Sequence, residues 1–256
     1  MQNVVFDPML ERVDKVNEDI VLISRKDGVL FGTDSFLLSA FARSYKNGTA
    51  VELGAGTGIV SMLLAQKKKY KTIFAVEIRE SYSKLAERNV ELNGLSGSVT
   101  VLNKDARDVT AGDVGATVDS VIMNPPYMIP GHGKENESDE MNAARRELYG
   151  NIYDFCEAAG RILRFGGTLS VVYRPERLSD IVDSMRRSRI EPKRIVPVHP
   201  FPDAPPSLIL IEGKSSASPS VQWSRPLIIC ESRESKRYTA DAETVYSSFT
   251  FDHLFK

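Results

Sequence analysis

From about residue 49 onward the chain alternates short apolar runs with amphipathic stretches, and few folds accept that rhythm. Each short run reads as a buried strand, and each amphipathic stretch as a helix that carries the chain back across the sheet. Consecutive strands then lie parallel. Strands are expected at residues 49–53, 72–77, 98–102, 118–123, 167–173, 194–199 and 207–212, with helices at 59–66, 81–93, 151–163 and 175–188. Asn93-Gly94 and Phe165-Gly166-Gly167 supply helix-stop signals. The spacer between the last two strands, Pro200-Phe201-Pro202-Asp203-Ala204-Pro205-Pro206, is too short and too rich in proline for a crossover helix. Those two strands therefore pair antiparallel as a hairpin. The expected fold is α/β, with a mixed seven-stranded sheet and an antiparallel final strand.

The flanks differ in kind. Residues 19–24 and 28–31 surround the polar turn Arg25-Lys26-Asp27, which suggests an N-terminal β-hairpin extension. Thr33-Asp34-Ser35 then opens a helix, with Thr33 or Asp34 as its cap. Residues 214–220 are serine-rich and read as a loop, while the aromatic residues of 238–256 suggest a tail that docks. A single domain over 1–256 is expected, made of a hairpin-and-helix extension (1–46), a catalytic core (47–213) and a C-terminal extension (214–256).

No apolar run approaches the roughly 20 residues of a membrane span, and the N-terminus lacks a signal-peptide layout, so the expectation is a cytoplasmic protein with no membrane partner. Cys156 and Cys230 make no metal spacing, and no metal is expected. The net charge of −1 argues against a DNA-coating protein but leaves room for a local basic patch. Arg186, Arg187, Arg189, Lys193 and Arg194 form one such cluster, and Lys67, Lys68, Lys69 and Lys71 another; either could equally be a solvated face.

Val51-Glu52-Leu53-Gly54-Ala55-Gly56-Thr57-Gly58 joins an expected strand to an expected helix. Its alternating glycines let the backbone turn sharply and approach a ligand closely. The loop suits a methionine-adenosine ligand at least as well as a dinucleotide, with Glu52, Gly54, Ala55, Gly56 and Gly58 as contacts. Glu77 ends the next strand about 20 residues on, where a carboxylate can accept both ribose hydroxyls; a solvated strand end is the plainer account. Asp105, with Ala106 beside it, follows the third strand and could accept from an adenine amino group or simply cap a turn.

Asn124-Pro125-Pro126-Tyr127 follows the apolar run 118–123. Two prolines fix the backbone and remove N–H donors, so carbonyls are left as acceptors. The Asn124 amide adds another acceptor and Tyr127 a flat face for stacking. The set suits holding a planar, weakly nucleophilic amino nitrogen in front of a methyl donor, S-adenosylmethionine. A rigid turn without chemistry is the alternative.

These residues together resemble the class I S-adenosylmethionine-dependent methyltransferases of Rossmann-like fold that act on amino nitrogens. Gly28-Val29-Leu30-Phe31-Gly32-Thr33-Asp34-Ser35-Phe36-Leu37-Leu38 is similar to the N-terminal signature of the bacterial tRNA1(Val) adenine-37 N6-methyltransferase family, and Tyr238-Thr239-Ala240-Asp241-Ala242-Glu243-Thr244-Val245-Tyr246 to its closing segment. The resemblance implies S-adenosylmethionine as cofactor, tRNA as partner, and the adenine beside the anticodon of a valine tRNA as substrate. It implies Asn124, Pro125, Pro126 and Tyr127 as catalytic residues. Thr33, at the cofactor's methionine end, Ile78 and Asn124 itself join the cofactor contacts, while Arg145 and Arg146, with Arg186 and Arg187, are candidate RNA contacts. A monomer or weak homodimer is expected. The acidic Glu135, Glu137, Asp139 and Glu140 depart from what a phosphate-facing segment should carry.

Overall fold

The seven apolar runs form β3 (Tyr45–Leu53), β4 (Tyr70–Glu77), β5 (Val99–Asn103), β6 (Val118–Met123), β7 (Leu163–Tyr173), β8 (Ile190–His199) and β9 (Leu208–Ser215). The computed structural model describes residues 5–28, 32–125, 150–235 and 237–256. Across the sheet these strands run β5-β4-β3-β6-β7-β9-β8. Neighbours from β5 to β7 are parallel, and β9 is antiparallel to both β7 and β8, as the proline-rich spacer requires. β3 and β6 are adjacent, with Leu53 opposite Met123, so the strand order reverses between them. Ligand crevices of open α/β sheets form at such a reversal, beyond the strands' C-terminal ends.

The helices among the described residues are α1 (Thr33–Phe41), α2 (Ile59–Gln66), α3 (Glu80–Leu92), α4 (Ile152–Ile162), α5 (Leu178–Arg187) and α6 (Ala240–Ser248). Alternation along a strand sends successive side chains to opposite faces. Ala50 and Ile122 accordingly join one apolar layer with Leu37, Leu63 and Val245, while Val51, Val121 and Met123 join the other with Phe155 and Ile181. α4 starts on a capping box, Asn151 accepting from the Asp154 N–H and Asp154 from the Asn151 N–H.

Four expectations change. The N-terminal hairpin is built from β1 (Glu11–Lys15) and β2 (Val21–Arg25), so the partner of the 19–24 run lies before it. Of the segment 28–31, only Gly28 lies within the described residues. Two asparagines one helical turn apart on α3 decide where the hairpin sits. Asn89 pairs by both ends of its amide with Ile23 N and O at 2.8 and 3.0 Å, and Asn93 with Val21 N and O at 2.9 and 2.8 Å. The helix thus offers β2 a surrogate strand edge. Second, α1 is capped by Gly32 rather than by a Thr33 or Asp34 side chain. Third, the expected helix at 175 begins with a 3-10 turn, Pro175–Arg177, before α5 proper. Fourth, β10 (Gln222–Trp223) and β11 (Leu227–Ile228) pair in parallel with β8 and extend the sheet to nine strands; two-residue elements leave no periodicity to read. The tail docks through Val245, Phe249, Phe251 and Leu254, all buried.

Candidate active site

The parallel strands β3 to β6 end together, with Leu53 beside Val76 and Met123, and Glu77 beside Asn103. The segments that leave those ends, at Gly54, Ile78, Lys104 and Asn124, therefore share one edge. Gly54 N–H and Ala55 N–H both donate to the Val76 carbonyl at 2.9 Å, tying the glycine loop to β4. Glu77, buried at this edge, accepts the Gly56 N–H on Oε2 at 2.8 Å and the Arg79 N–H and Nε–H on Oε1 at 3.0 and 2.8 Å. A carboxylate has about four acceptor positions, so these bonds fix its orientation without exhausting it. Gly56 has φ +55°, and a Cβ built there would meet none of the described residues within 4 Å. The loop thus stands clear of them, with left-handed backbone that an L side chain would strain.

The remaining expected cofactor residues divide by what they touch. Gly58, at φ +80°, is the N-cap of α2 and has no side chain to offer. Glu52 takes over that task from inside β3: its Oε2 accepts both the Ser61 N–H and the Ser61 hydroxyl. Glu52 is buried against the first turn of α2, and burial pushes its carboxyl up to about 7 despite the two bonds from Ser61. It supports the loop from beneath. Ile78 presents its carbonyl to Asn103 Nδ2 at 3.1 Å, and the same amide holds the Glu77 carbonyl at 2.9 Å. Asp105 caps the 3-10 turn Ala106–Asp108 through the Arg107 N–H and pairs with the Arg107 guanidinium. Burial raises its carboxyl, but the Arg107 bonds outweigh this and hold it below the usual range. Ala106 is buried in that turn. Thr33 opens α1, whose Phe36 packs against Tyr246 of α6.

Asn124 and Pro125 directly follow β6, one strand from the glycine loop. Asn124 Nδ2 donates to Asp34 Oδ2 at 3.1 Å, which brings the N-terminal corner and the turn after β6 together across 90 residues of sequence. No local pattern signals that contact. Asn89 is a second residue that sequence reasoning missed: beyond holding β2, its Nδ2 donates to the Thr57 carbonyl at 3.0 Å and so links the hairpin to the glycine loop. An Asn-x-x-x-Asn spacing on an otherwise amphipathic helix was the available signal.

Arg186 and Arg187 do not join the site. α5 leaves the C-terminal end of β7 and returns to the start of β8, so its last turn lies at the opposite edge of the sheet. Both side chains are also paired there, Arg186 with Glu191 at 3.3 Å and Arg187 with Asp183 at 2.9 Å. Pro126, Tyr127, Arg145, Arg146 and the acidic segment 131–142 lie outside the described residues. Among the described residues, no group of three or more His, Cys, Asp or Glu is placed to hold a metal ion, and no helix is long and apolar enough to cross a membrane.

Against known proteins, the model of one family, the methyltransferase small domain, matches residues 25–185, from the end of β2 to the last turn of α5. The chain belongs to that family. The methyltransferase is 27% identical to a tRNA1(Val) (adenine(37)-N6)-methyltransferase of Parabacteroides distasonis over 216 residues, covering 84% of this chain and 90% of that relative. It is 25% identical to a protein of the same name from Bacteroides fragilis, covering 70% of this chain and 75% of the relative. Among solved structures, a predicted O-methyltransferase from Agrobacterium tumefaciens superposes with a TM-score of 0.67 at 23% identity, over 85% of this chain and 97% of that one. A TYW2 structure from M. jannaschii in complex with AdoMet superposes with a TM-score of 0.55 at 16% identity, over 82% of this chain and 88% of that one. At such identities the superpositions speak for the fold alone. The protein is a class I S-adenosylmethionine-dependent methyltransferase. Its described residues suit that cofactor: a loop that stands clear of the other described residues at Gly56 and a fixed, buried acceptor at Glu77 lie on the edge where the strand order reverses.

Proposed function

We propose that this methyltransferase transfers a methyl group to the exocyclic N6 of an adenine in tRNA, adenosine 37 of a valine tRNA, in the cytoplasm. The observation that carries the reading is the adjacency of β3 and β6, which sets Asn124-Pro125 beside the glycine loop. The names of the most extensively matched relatives support the choice of acceptor.

S-adenosylmethionine, when bound, supplies an electrophilic methyl carbon; Glu77 would hold its ribose, the loop from Gly54 to Gly58 its methionine and sugar portions, and Asp105 its adenine. The chain's own task is to prepare the nucleophile. The lone pair of an adenine amino nitrogen is delocalised into the ring and points nowhere useful. Asn124 Oδ1 and the Pro125 carbonyl accept the two amino hydrogens, which holds the nitrogen and lets its lone pair turn out of the ring plane as transfer proceeds. No base is needed before attack, since the nitrogen becomes acidic only once methylated and its proton then leaves to water. Tyr127 stacks on the base, a contact worth roughly 1–3 kcal/mol in single-strand recognition. The target nucleotide must be unstacked, as a loop base readily is. Arg145 and Arg146 contact the RNA backbone.

The test is incubation with radiolabelled S-adenosylmethionine and either bulk tRNA or a release-factor protein, followed by mass spectrometry of the tRNA nucleosides. N6-methyladenosine in tRNA is expected. Label confined to protein would move the acceptor to a glutamine amide, and label in neither would point to a binding module. Asn124→Ala should abolish transfer, with cofactor affinity by calorimetry within about threefold of wild type; a fully active Asn124→Ala enzyme would sink the mechanism.

A further inference from the structure

We propose that Asp34 is a positioning residue that sets the polarity of the Asn124 amide, so that Asn124 always offers its oxygen to the acceptor. This deepens the reading above and rests on it. An asparagine amide can sit in two orientations related by a half-turn about its last torsion, and they differ little in shape. One presents an acceptor to the incoming amino group; the other presents two N–H donors, which an amino group's hydrogens cannot meet. Whether transfer occurs therefore depends on which orientation the protein enforces.

Asp34 supplies the enforcement. Its Oδ2 lies 3.1 Å from Asn124 Nδ2, and its Oδ1 accepts the Ser35 N–H at 2.8 Å in the first turn of α1. A carboxylate offers acceptors only, so the atom of Asn124 that faces it must be the nitrogen. The opposite orientation would set amide oxygen against carboxylate oxygen. The Ser35 bond keeps the carboxylate in place, and the positive end of the α1 dipole favours a negative group at that point. Gly32 completes the corner, because a Cβ there would lie 2.8 Å from Asp34 Oδ1. Behind it, the ring of Phe36 on α1 packs 4.8 Å from that of Tyr246 and edge-on to Phe249 at 5.2 Å. The docked C-terminal helix thus braces the corner that orients the catalytic amide.

A double-mutant cycle tests this in the full-length protein. Asp34→Ala is expected to lower kcat at least tenfold, with KM for tRNA and the dissociation constant of S-adenosylmethionine within threefold of wild type. Asn124→Asp places two carboxylates face to face and should lose activity at least a hundredfold. Combining it with Asp34→Asn restores one donor and one acceptor with their polarity exchanged across the pair, and leaves position 124 as the acceptor for the substrate. The double variant should recover at least tenfold over Asn124→Asp alone, a rescue that a merely structural role for Asp34 would not produce. Thermal unfolding of wild type, Asp34→Asn, Asn124→Asp and their combination closes the cycle without any acceptor: Asn124→Asp should lower Tm and Asp34→Asn in that background should raise it again. No recovery in activity or in Tm overturns the proposal, as does a wild-type kcat for Asp34→Ala. A wild-type enzyme inactive on tRNA would instead refute the choice of acceptor, and the unfolding cycle would still decide the pairing.

Discussion

Both edges of the central sheet are rich in charged side chains, and the charges do opposite work. Toward the N-terminal edge they end in one another. Arg43, which precedes β3, reaches the buried Glu212 midway along β9 and shares it with Arg194, with contacts of 2.8 and 2.7 Å, and the Arg194 guanidinium lies over the rings of Phe41 and Phe255. Lys69 Nζ donates to the Ser39, Ala40 and Ala42 carbonyls at 2.9, 2.7 and 2.6 Å and so closes the C-terminus of α1. At the C-terminal edge, Glu77, Glu52 and Asp34 accept from the backbone N–H groups of Gly56, Ser61 and Ser35, which shape the loop and helix starts around the crevice. Buried charge in the first group holds the body together. In the second it fixes the backbone around the crevice.

The largest separation between the two roles should come from Glu212→Ala. Removing one partner leaves two guanidiniums, one of them only 11% exposed, without the carboxylate they share, and leaves Arg194 only the more distant, exposed Asp252 at 4.0 Å. Breaking a buried pair from one side costs about 3–5 kcal/mol, which is a large share of a domain's stability. Urea unfolding should show that loss, while cofactor affinity of the folded protein stays within a factor of about two. A variant of wild-type stability that no longer binds the cofactor would break the division between the edges.

Glu52 gives the comparison a pH axis. Its carboxyl titrates at about 7 in the folded protein because burial disfavours the charged form, against about 4.3 in an unfolded chain. The folded state therefore holds the proton more tightly, and this contribution to stability is fully present below the unfolded value. It is lost as pH rises through the folded one. Between pH 4.5 and 8 the loss is about 3 kcal/mol. Glu52→Gln keeps an acceptor for Ser61 and removes the titration, so its unfolding free energy should change less with pH across that window. Parallel pH profiles for wild type and variant would place the cost elsewhere.

How much of this was legible in the sequence follows the range of each interaction. The strands and helices of the core could be read because burial on one face or two imposes a local period, and Pro200 to Pro206 fixed the reversal of β9. The order of site segments along one edge followed from that pattern, since parallel strands must end together. What escaped depends on distant partners. β1 has a single apolar residue, Val13, and is held by its ladder to β2 and by Arg88 of α3, which pairs with Glu11 at 2.7 Å. The cap expected of Thr33 or Asp34 falls to Gly32 because both residues are already inside the first turn of α1, and one oxygen of Asp34 is engaged with Asn124, far along the chain.

Arg186 and Arg187 sharpen the comparison from its weak end. Their clustering in sequence suggested a phosphate-tracking patch, but a count of residues says nothing about which edge a helix terminus reaches. α5 must run against the strands, so its last turn arrives at the edge away from Asn124. Each guanidinium also faces an acid of its own, Glu191 or Asp183, and the pairs are solvated. Such pairs contribute about 0–1 kcal/mol and carry little net field for an RNA to follow. The double variant Arg186→Ser with Arg187→Ser should therefore methylate tRNA with a KM within about twofold of wild type at moderate salt, and the slope of binding against salt should not change. A tenfold rise in KM with a shallower salt slope would mean that the RNA reaches around the body to the N-terminal edge, and that the charges there also serve recognition.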